Sequence, residues 1–417
     1  MSEKLKIKSR DSFTLVELVV VLGILAILAA VTVIVIRPDQ LFKQTRDTQR
    51  LSDLESINKA LLMYRSVEGS SYGTANIVYT SLPDNSSTCG TYSLPALPDG
   101  WTYSCKTATN YRKTDGTGWI PVDFTSVSTS VGQMFAALPI DPINDDTGYQ
   151  YYTYMTGGSW EMTASLESDK FKMGGGSDSS STDGGRYPEL YEKGTDLSIN
   201  PVNSGDLSLV GYWKFDEGTG TSAYDASGHG NTGTLTNHAT YGSAKVGSYA
   251  ASFDGTDDYV NCGTDASLKI TGSITISAWI YPENLVSSSH YGIVKVAENV
   301  GSYQTAYALT IDWQNNIRFY KGLYADLINQ AVGFGNDTWY HVAATHVFST
   351  SQTELYYNGQ LVKSGTFAVY VPTYENNNPL HIANGTWGYF NGHIDDVHIY
   401  NRVLSAAEIL ALYNATK

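Results

Sequence analysis

The sequence predicts an α+β unit with a long N-terminal helix, followed by an all-β sandwich. Near the N-terminus, residues 13–36 form an apolar run interrupted only by Glu17. The polar stretch that follows has apolar residues at every third or fourth position, which is the period of a helix face. From Leu207 onward, short β-branched and aromatic runs alternate with Gly, Asn and Asp turns, a pattern typical of a β-sandwich.

Length, charge and cysteine content narrow the function classes. The chain has 417 residues, enough for two domains beyond the apolar run. Its formal net charge of −15 argues against direct nucleic-acid binding, because phosphate contacts rely on Lys and Arg. Three cysteines allow at most one intrachain disulfide. Cys89 and Cys105 enclose a short loop-like segment and are the expected pair, whereas Cys262 is expected to be a buried thiol.

The apolar run at residues 13–36 is long enough to cross a bilayer as a helix, for which about 20 apolar residues suffice. Glu17 lies in its first turns, where a carboxylate in hydrocarbon costs about 2–3 kcal/mol and needs a partner. Four basic residues precede the run, and a positive flank of this kind stays cytoplasmic. We therefore expect a single span of the cytoplasmic membrane with the C-terminus outside.

The residues around this junction, Ser12 and then Phe-Thr-Leu-Val-Glu, resemble the class III signal of type IV pilins and pseudopilins. The resemblance implies a leader peptide over residues 1–12, cut by prepilin peptidase before Phe13, whose new amino terminus is methylated. Glu17 becomes the fifth mature residue, which in the family pairs with the terminal amine of a neighbouring subunit. The family usually has Gly before the cut, where this chain has Ser12.

A second helix is predicted over residues 37–69. Pro38 interrupts the first helix because it removes a backbone donor, and the helical period then resumes. The apolar stripe consists of Leu51, Leu54, Ile57, Leu61 and Tyr64. The charged residues between them predict a solvated face, formed by Arg46, Asp47, Arg50, Asp53, Glu55 and Lys59. A long N-terminal helix, half membrane and half amphipathic, is the pilin architecture.

Residues 70–200 are predicted to form a small globular domain of strands and loops. The sequence LPIDPINDDTGYQYYTYM at 138–155 resembles the core of the pseudopilin globular domain, in which a small antiparallel sheet packs on the helix. Residues 174–185 are a Gly/Ser/Asp-rich loop. Major pseudopilins of type II secretion carry a calcium-binding loop in this region, which implies Asp178 and Asp183 as ligands. The alternative is a solvated loop without an ion.

Residues 201–208 are polar, contain Pro and Gly, and are expected to be the linker to the second domain. Over residues 209–417 the phrases VGYWKFDEGTG, ASFDGTDDYVNCG, ITISAWIYP, TWYHVAATH and GHIDDVHIYNRVLSAAEI resemble the laminin-G-like, concanavalin A-like jelly roll. The resemblance implies two antiparallel sheets packed face to face. A C-terminal helix is expected to begin at Ser405, with Glu408 completing a capping box.

No enzyme is predicted from this second domain. Glucanases of the same fold place their carboxylates at Glu-x-Asp-x-x-Glu spacing, which sets nucleophile and acid on one face of a strand. The sequence has no such arrangement, and Asp395 and Asp396 are adjacent, so they are expected to point to opposite faces.

A calcium site is predicted instead. Laminin-G-like domains often bind calcium at the sheet rim, which implies Asp225 and Asn231 in one Gly-rich loop and Asp395 on the last strand. Calcium prefers six to eight oxygen ligands. The alternative is that Asp225 and Asn231 only hydrogen-bond the turn backbone.

The loop NGTWGYFNG at 384–392 offers Trp387 and Tyr389 as ligand-binding aromatics, because loops at the rim commonly carry function. An indole beside Asn and Asp suits a sugar ring. The alternative is that Trp387 covers the core.

The leading prediction is a minor type IV pilin-like filament subunit that displays a recognition domain for glycans or surface proteins. Its partners would be prepilin peptidase and other pilin subunits, and it would move from the membrane to an extracellular pilus. One alternative is a secretion or competence pseudopilin whose second domain is structural. Another is a membrane-anchored lectin that never polymerises.

Overall fold

The computed structural model describes residues 15–67, 72–98, 100–126, 135–202, 205–285, 290–296, 304–323, 327–366, 378–385 and 388–417. The described residues include three α-helices: α1 (Leu15–Ile36), α2 (Pro38–Val67) and α3 (Ala406–Thr416). Arg37 separates α1 from α2 with a φ of 45°, and Pro38 opens α2 at the position where a missing N–H costs nothing. Within these residues, no helix combines the length and apolarity that crossing a membrane requires.

The N-terminal sheet has five strands in the order β2-β1-β3-β4-β5. Their bounds are β1 (Ile77–Pro83), β2 (Thr102–Lys106), β3 (Thr153–Thr156), β4 (Trp160–Ser165) and β5 (Leu190–Gly194). Strands β1 and β2 pair in parallel, whereas the other neighbours are antiparallel. The sheet is therefore mixed, where the sequence analysis expected a wholly antiparallel one. The apolar stripe of α2 packs on this unit, with Leu54, Ile57 and Leu61 in one buried cluster with Trp119 and Trp160.

The predicted solvated face of α2 is partly wrong, because Asp47 and Arg50 are fully buried. Arg50 donates two hydrogen bonds to Asp141, from Nε at 2.6 Å and from Nη2 at 3.0 Å. It also donates to Asp47 at 2.8 Å and to Glu167 at 2.5 Å. These acids lie far apart in sequence, so the charged side of α2 holds a buried ion-pair network. That network fastens the helix to the loops around the sheet.

A disulfide joins Cys89 and Cys105, the pair expected from the sequence. It links the loop after β1 to β2, and both cysteines belong to a small buried cluster with Leu82 and Tyr151. Cys262 is a buried thiol, as expected.

The second half of the chain forms two eight-stranded sheets. The first has the order β19-β18-β17-β12-β21-β10-β9, with β6 also paired to β21. Its strands are β6 (Leu209–Trp213), β9 (Thr240–Gly242), β10 (Ala250–Asp254), β12 (Ile274–Pro282), β17 (Tyr340–His346), β18 (Gln352–Tyr357), β19 (Gln360–Thr366) and β21 (Asn391–Tyr400).

The second sheet has the order β16-β15-β14-β13-β20-β11-β8-β7. Its strands are β7 (Ser222–Ala223), β8 (Gly233–Thr236), β11 (Tyr259–Asn261), β13 (Tyr291–Val296), β14 (Gln304–Ile311), β15 (Asn316–Leu323), β16 (Leu327–Ala331) and β20 (Leu380–Ile382). One large apolar cluster containing Trp213, Phe253 and Val342 fills the space between the two sheets. This is the sandwich that the sequence predicted.

The outer face of the first sheet is covered by α3 and by the N-terminal unit. Tyr212, Ala343, Tyr356 and Tyr400 on this face share one buried cluster with other parts of the chain. We call it the junction cluster; its remaining members are Met173, Tyr187, Leu190, Leu209, Ala226, Leu404, Ile409 and Leu412.

Polar contacts reinforce the same junction. Arg186 pairs with Asp216 at 2.6 Å, and Arg402 pairs with Asp206 at 2.7 Å. Asp206 lies within the predicted linker, which is therefore bonded to the sandwich where the structure describes it. Part of the outer face of the first sheet is therefore occupied by packing within the protein. The outer face of the second sheet is the candidate for binding other molecules.

Candidate ligand-binding site

The outer face of the second sheet is defined by the alternation of side chains along its strands. On β14, Tyr307, Leu309 and Ile311 belong to the sandwich core. Ala308 and Thr310 therefore point away from the core.

Polar residues of neighbouring strands lie side by side on this outer face. Lys295 pairs in register with His381 on β20 and with Ala308 on β14. Thr310 pairs with Arg318 on β15, and Arg318 pairs in turn with Asn329 on β16. We call this set the polar face; its members are Lys295, Thr310, Arg318, Asn329 and His381. Four of them are buried or half-buried, whereas Asn329 is exposed.

Two cations and two neutral histidines set the electrostatics of this region. Burial and the nearby Lys295 charge lower the pKa of His381 to about 4. Burial and the Arg318 charge lower the pKa of His290 as well. Both imidazoles are therefore neutral at pH 7. Among the described residues of the polar face, positive charge comes from Lys295 and Arg318.

A hairpin turn follows β14 and carries Trp313, whose side chain is 50% exposed. The buried Asp312 carboxylate organises the turn: Oδ1 accepts from the backbone N–H groups of Gln314 (2.9 Å) and Asn316 (3.0 Å). Its Oδ2 accepts from the side-chain amides of Asn316 (3.1 Å) and Asn329 (3.3 Å). The turn is thus bonded to the polar face. Trp313 was not predicted as a site residue; the signal in the sequence was Asp-Trp-Gln-Asn between two alternating strands.

Of the two predicted ligand-binding aromatics, Trp387 lies outside the described residues. Tyr389 is half-buried and forms an isolated β-bridge with Asn384. The side chain of Asn384 lies 3.2 Å from Nδ1 of His381. The loop predicted to bind ligand therefore adjoins the polar face.

The loop of Asp225 and Asn231 is braced by hydrogen bonds within the protein. Asp225 Oδ1 accepts from the N–H groups of Tyr212 and Ser227, both at 2.9 Å, and Oδ2 accepts from Asn231 at 2.8 Å. Asn231 Nδ2 donates to the carbonyl of Val210 at 2.8 Å. Both residues therefore support the turn backbone, the alternative considered above. Calcium at this loop stays a prediction.

Asp395, the third predicted ligand, is fully buried in β21. Its Oδ2 accepts from the N–H groups of Lys245 and Val246 at 2.8 and 2.9 Å, whereas its Oδ1 has no hydrogen-bond partner. Burial and the neighbouring Asp396 raise its pKa well above the ordinary range. None of its hydrogen bonds reaches the Asp225 loop.

Elsewhere in the described chain, one group of three potential metal-ligand side chains has its ligand atoms within 4.8 Å of each other: His238, Asp257 and Asp258. Asp258 uses its two carboxylate oxygens to accept from the backbone N–H groups of His238 and Asp254. This carboxylate therefore serves to hold the local backbone.

The loop at 174–185 is stabilised by hydrogen bonds from backbone N–H groups to the carboxylates of its two aspartates. Asp178 accepts from the backbone of Gly174 at 2.7 Å and of Ser181 at 3.0 Å. Asp183 accepts from Gly185 at 2.8 Å and from Glu192 of β5 at 2.5 Å. Burial raises the pKa of Asp183 to about 7. Calcium at Asp178 and Asp183 also stays a prediction.

The signal residues Ser12 and Phe13 lie outside the described residues. Glu17 occupies the first turn of α1, where residues 15–25 are exposed. An exposed apolar helix face calls for a covering environment.

Comparisons with known families agree with both resemblances. Residues 7–33 match the prokaryotic N-terminal methylation motif, and residues 254–410 match the concanavalin A-like lectin/glucanases superfamily. The chain therefore carries a type IV pilin signal and a concanavalin A-like domain. No curated protein matches the sequence.

Three solved structures are among those that are similar to part of this chain. Domain 4 of a Geobacillus stearothermophilus arabinanase, in complex with arabinotriose, is 20% identical, with 50% of this chain and 98% of that chain covered and a TM-score of 0.39. Trypanosoma rangeli sialidase with sialic acid is 17% identical, with 50% and 33% covered and a TM-score of 0.40. The binding domain of botulinum neurotoxin DC with rat synaptotagmin II is 16% identical, with 50% and 52% covered and a TM-score of 0.40. These values carry no functional argument.

Proposed function

We propose that this protein is a minor subunit of a type IV pilus-like filament, and that it displays a lectin-like domain for adhesion to glycans. The supporting observation is that one chain carries both the methylation motif and the concanavalin A-like domain. In this proposal prepilin peptidase cuts before Phe13, and α1 passes from the cytoplasmic membrane into the filament core. The protein has no enzymatic role in this proposal, and calcium would support the loops of the concanavalin A-like domain.

The polar face and the adjoining loop of Tyr389 form the proposed ligand surface. They lie on the second sheet, whereas the first sheet packs against α3 and the N-terminal unit. Binding at the second sheet therefore leaves the junction undisturbed.

The test is a glycan array probed with the full-length protein in detergent, combined with fractionation of filaments sheared from cells. The proposal expects mature protein that starts at Phe13 in the sheared fraction, and binding to a defined set of glycans. Uncleaved protein confined to membranes would contradict the filament role. No binding to any glycan would contradict the lectin role.

Glu17→Ala tests the assembly part of the proposal. Burying a carboxylate among apolar helices is costly without a partner, and the amine of Phe13 on a neighbouring subunit would supply one. We expect at least a tenfold loss of the protein from sheared filaments, equivalent to about 1.4 kcal/mol, with unchanged amounts in membranes. Leu18→Val, at the next position of α1, is the matched control and should assemble normally. Normal assembly of Glu17→Ala would reject the pairing.

The junction cluster favours a second candidate, a pseudopilin whose concanavalin A-like domain is structural. A domain fixed by a buried interface suits a spacer as well as an adhesin. The two candidates differ in one outcome. If substitutions on the polar face abolish adhesion while filaments remain intact, the adhesin is supported; if they change nothing, the structural role is supported.

A further inference from the structure

We infer that Trp313 is the stacking platform for a pyranose ring of the glycan ligand, with Thr310 and Asn329 of the polar face binding the hydroxyls of that sugar. This inference rests on the proposed lectin function and names the chemistry of its site. The sugar contact is thereby assigned to a residue outside the loop of Tyr389.

The exposure of Trp313 is unusual within this protein. Of the other tryptophans in the described residues, Trp119, Trp160, Trp213 and Trp279 are buried, and Trp101 and Trp339 are half-buried. Single exposed apolar side chains are common on protein surfaces, so exposure alone decides nothing. What distinguishes Trp313 is its place in the chain, in a hairpin turn that is hydrogen-bonded to the polar face through Asp312 and Asn329.

The hairpin holds the backbone around Trp313 in a fixed place. Four hydrogen bonds converge on the buried carboxylate of Asp312, the residue before Trp313. Asn315 in the same turn adopts a φ of 59°, which Asn tolerates better than most residues. A turn that is already ordered loses little conformational entropy when a ligand binds to it, and this pre-organisation strengthens binding.

Polar groups of the kind that sugars need lie on the strands that adjoin the hairpin turn. Thr310 precedes Asp312 by two residues, a distance of about 7 Å along a strand. Its Oγ1 is buried and has no hydrogen-bond partner. On β16, Asn329 is exposed and its side-chain amide reaches Asp312. A hydroxyl and a carboxamide both donate and accept, which matches the dual character of sugar hydroxyls.

The combination of an exposed indole, a hydroxyl and a carboxamide points to a pyranose rather than to an apolar or wholly ionic ligand. A pyranose ring presents a flat C–H face to an indole and hydroxyls at its edge. An apolar ligand would leave the Thr310 hydroxyl without a partner, and a small ion would not use the indole. Aromatic faces supply much of the contact area in recognition sites because they are large and rigid.

The test measures glycan binding by the full-length protein in detergent, using the array hits of the wild type as probes. Trp313→Ala should weaken binding at least tenfold, since Trp residues are prominent among binding hot spots. Trp313→Phe should retain part of the affinity because it keeps an aromatic face. Thr310→Val, which removes only the hydroxyl function, should weaken binding severalfold. Tyr249→Ala removes another exposed aromatic side chain and should bind as the wild type.

Ligand binding should also quench or shift tryptophan fluorescence in the wild type and not in Trp313→Ala. Unchanged melting temperatures confirm that the variants fold. If the wild type binds glycans and Trp313→Ala binds them equally well, this inference fails while the lectin proposal stands. If Trp313→Ala binds normally but no longer enters filaments, Trp313 is a subunit contact and the inference is overturned. If the wild type binds no glycan, both proposals fall.

Discussion

Glu161 on β4 and Glu192 on β5 bring two carboxyl groups into the interior of the N-terminal sheet, where both residues are at most 1% exposed. Glu161 Oε2 accepts from the N–H groups of Ile199 and Asn200, and Glu192 Oε2 accepts from that of Tyr187. The two Oε1 atoms have no such partner. Two neighbouring carboxylates do not both ionise readily, so we expect the folded pair to share a proton.

The surroundings of this pair explain the direction of the shifts. Burial is the main cause that raises the pKa of both groups, and the charge of Glu161 raises that of Glu192 further. The charge of Asp183 acts on Glu192 in the same direction, whereas Lys214 lowers the pKa of Glu161. At pH values between the unfolded pKa and the raised folded pKa, the folded protein therefore binds a proton that the unfolded chain has released.

Glu192→Gln should remove most of the pH dependence of folding stability that these raised pKa values cause. A raised pKa in the folded state contributes stability that is present below the unfolded value of about 4.5 and is lost as the pH rises through the folded value. Gln keeps an acceptor for Tyr187 and donates an N–H toward Glu161. We expect the variant to be about 1–3 kcal/mol more stable than the wild type at pH 8, the cost of an unsatisfied buried group, and equal or less stable near pH 4.5.

Urea unfolding of residues 38–417 between pH 4.5 and pH 8 measures this difference. Asp337→Asn, at an exposed carboxyl group, is the control and should follow the wild-type curve. Parallel pH profiles for the wild type and Glu192→Gln would contradict the shared proton.

Among the elements, α2 depends on ionic contacts as well as on its apolar stripe. Arg50 is 0% exposed and contacts three acids from three different parts of the chain. Arg46, one turn earlier, pairs with Glu167 at 2.6 Å but remains 30% exposed. The two arginines therefore make similar contacts in different dielectric surroundings.

Arg50→Ala should destabilise the N-terminal unit by about 3–5 kcal/mol, because it leaves Asp141 and Asp47 buried without their counter-charge. Arg46→Ala should cost about 1 kcal/mol or less, as partly exposed pairs do. Thermal or urea unfolding of both variants, followed by circular dichroism, checks the contrast. Equal losses would mean that the buried network contributes no more than the outer pair.

The sequence predicted the helices and most strands because their hydrophobic periods are local. The helix break at Pro38, the stripe at Leu54 and Ile57, and the Ser405 cap of α3 all follow from residues within a few positions of each other. The disulfide was also predictable, from spacing and an exported location.

Features that depend on distant partners were not predictable from the same patterns. The sequence of α2 shows that one side of the helix is charged. It does not show whether Arg50 on that side faces solvent or Asp141. The parallel pairing of β1 with β2 could not be predicted in the same way, because it depends on the path that the chain takes between the two strands. Short β-branched and aromatic runs predicted the strands of the sandwich, but they did not say that Thr310, Arg318 and Asn329 would lie in register on neighbouring strands.

At the scale of the whole molecule, the junction cluster joins the N-terminal unit to the concanavalin A-like domain. It contains residues from before β5, from the first sheet of the sandwich and from α3. A buried apolar interface of this kind opposes independent domain motion. The two units should therefore unfold together.

Ile409→Ala tests this coupling, because Ile409 is fully buried in the junction cluster. We expect a loss of about 2–5 kcal/mol, the range for such truncations. Hydrogen exchange followed by mass spectrometry should show faster exchange in peptides from both β4 and β12. Leu410→Ala, at a neighbouring position that is 36% exposed, should leave exchange unchanged. Faster exchange confined to β12 would indicate units that open separately.

The positions of the three cysteines have a consequence for oxidative maturation. Cys89 and Cys105 are separated by 16 residues, whereas Cys262 lies roughly ten times farther along the chain from either. Closing the longer loop costs about 2 kcal/mol more in chain entropy, so encounters in the unfolded chain favour the native pair. Once the sandwich core closes, burial raises the pKa of Cys262 well above the ordinary range and withholds the thiolate that exchange requires. Local encounter and core burial together keep the third thiol from competing for the native disulfide.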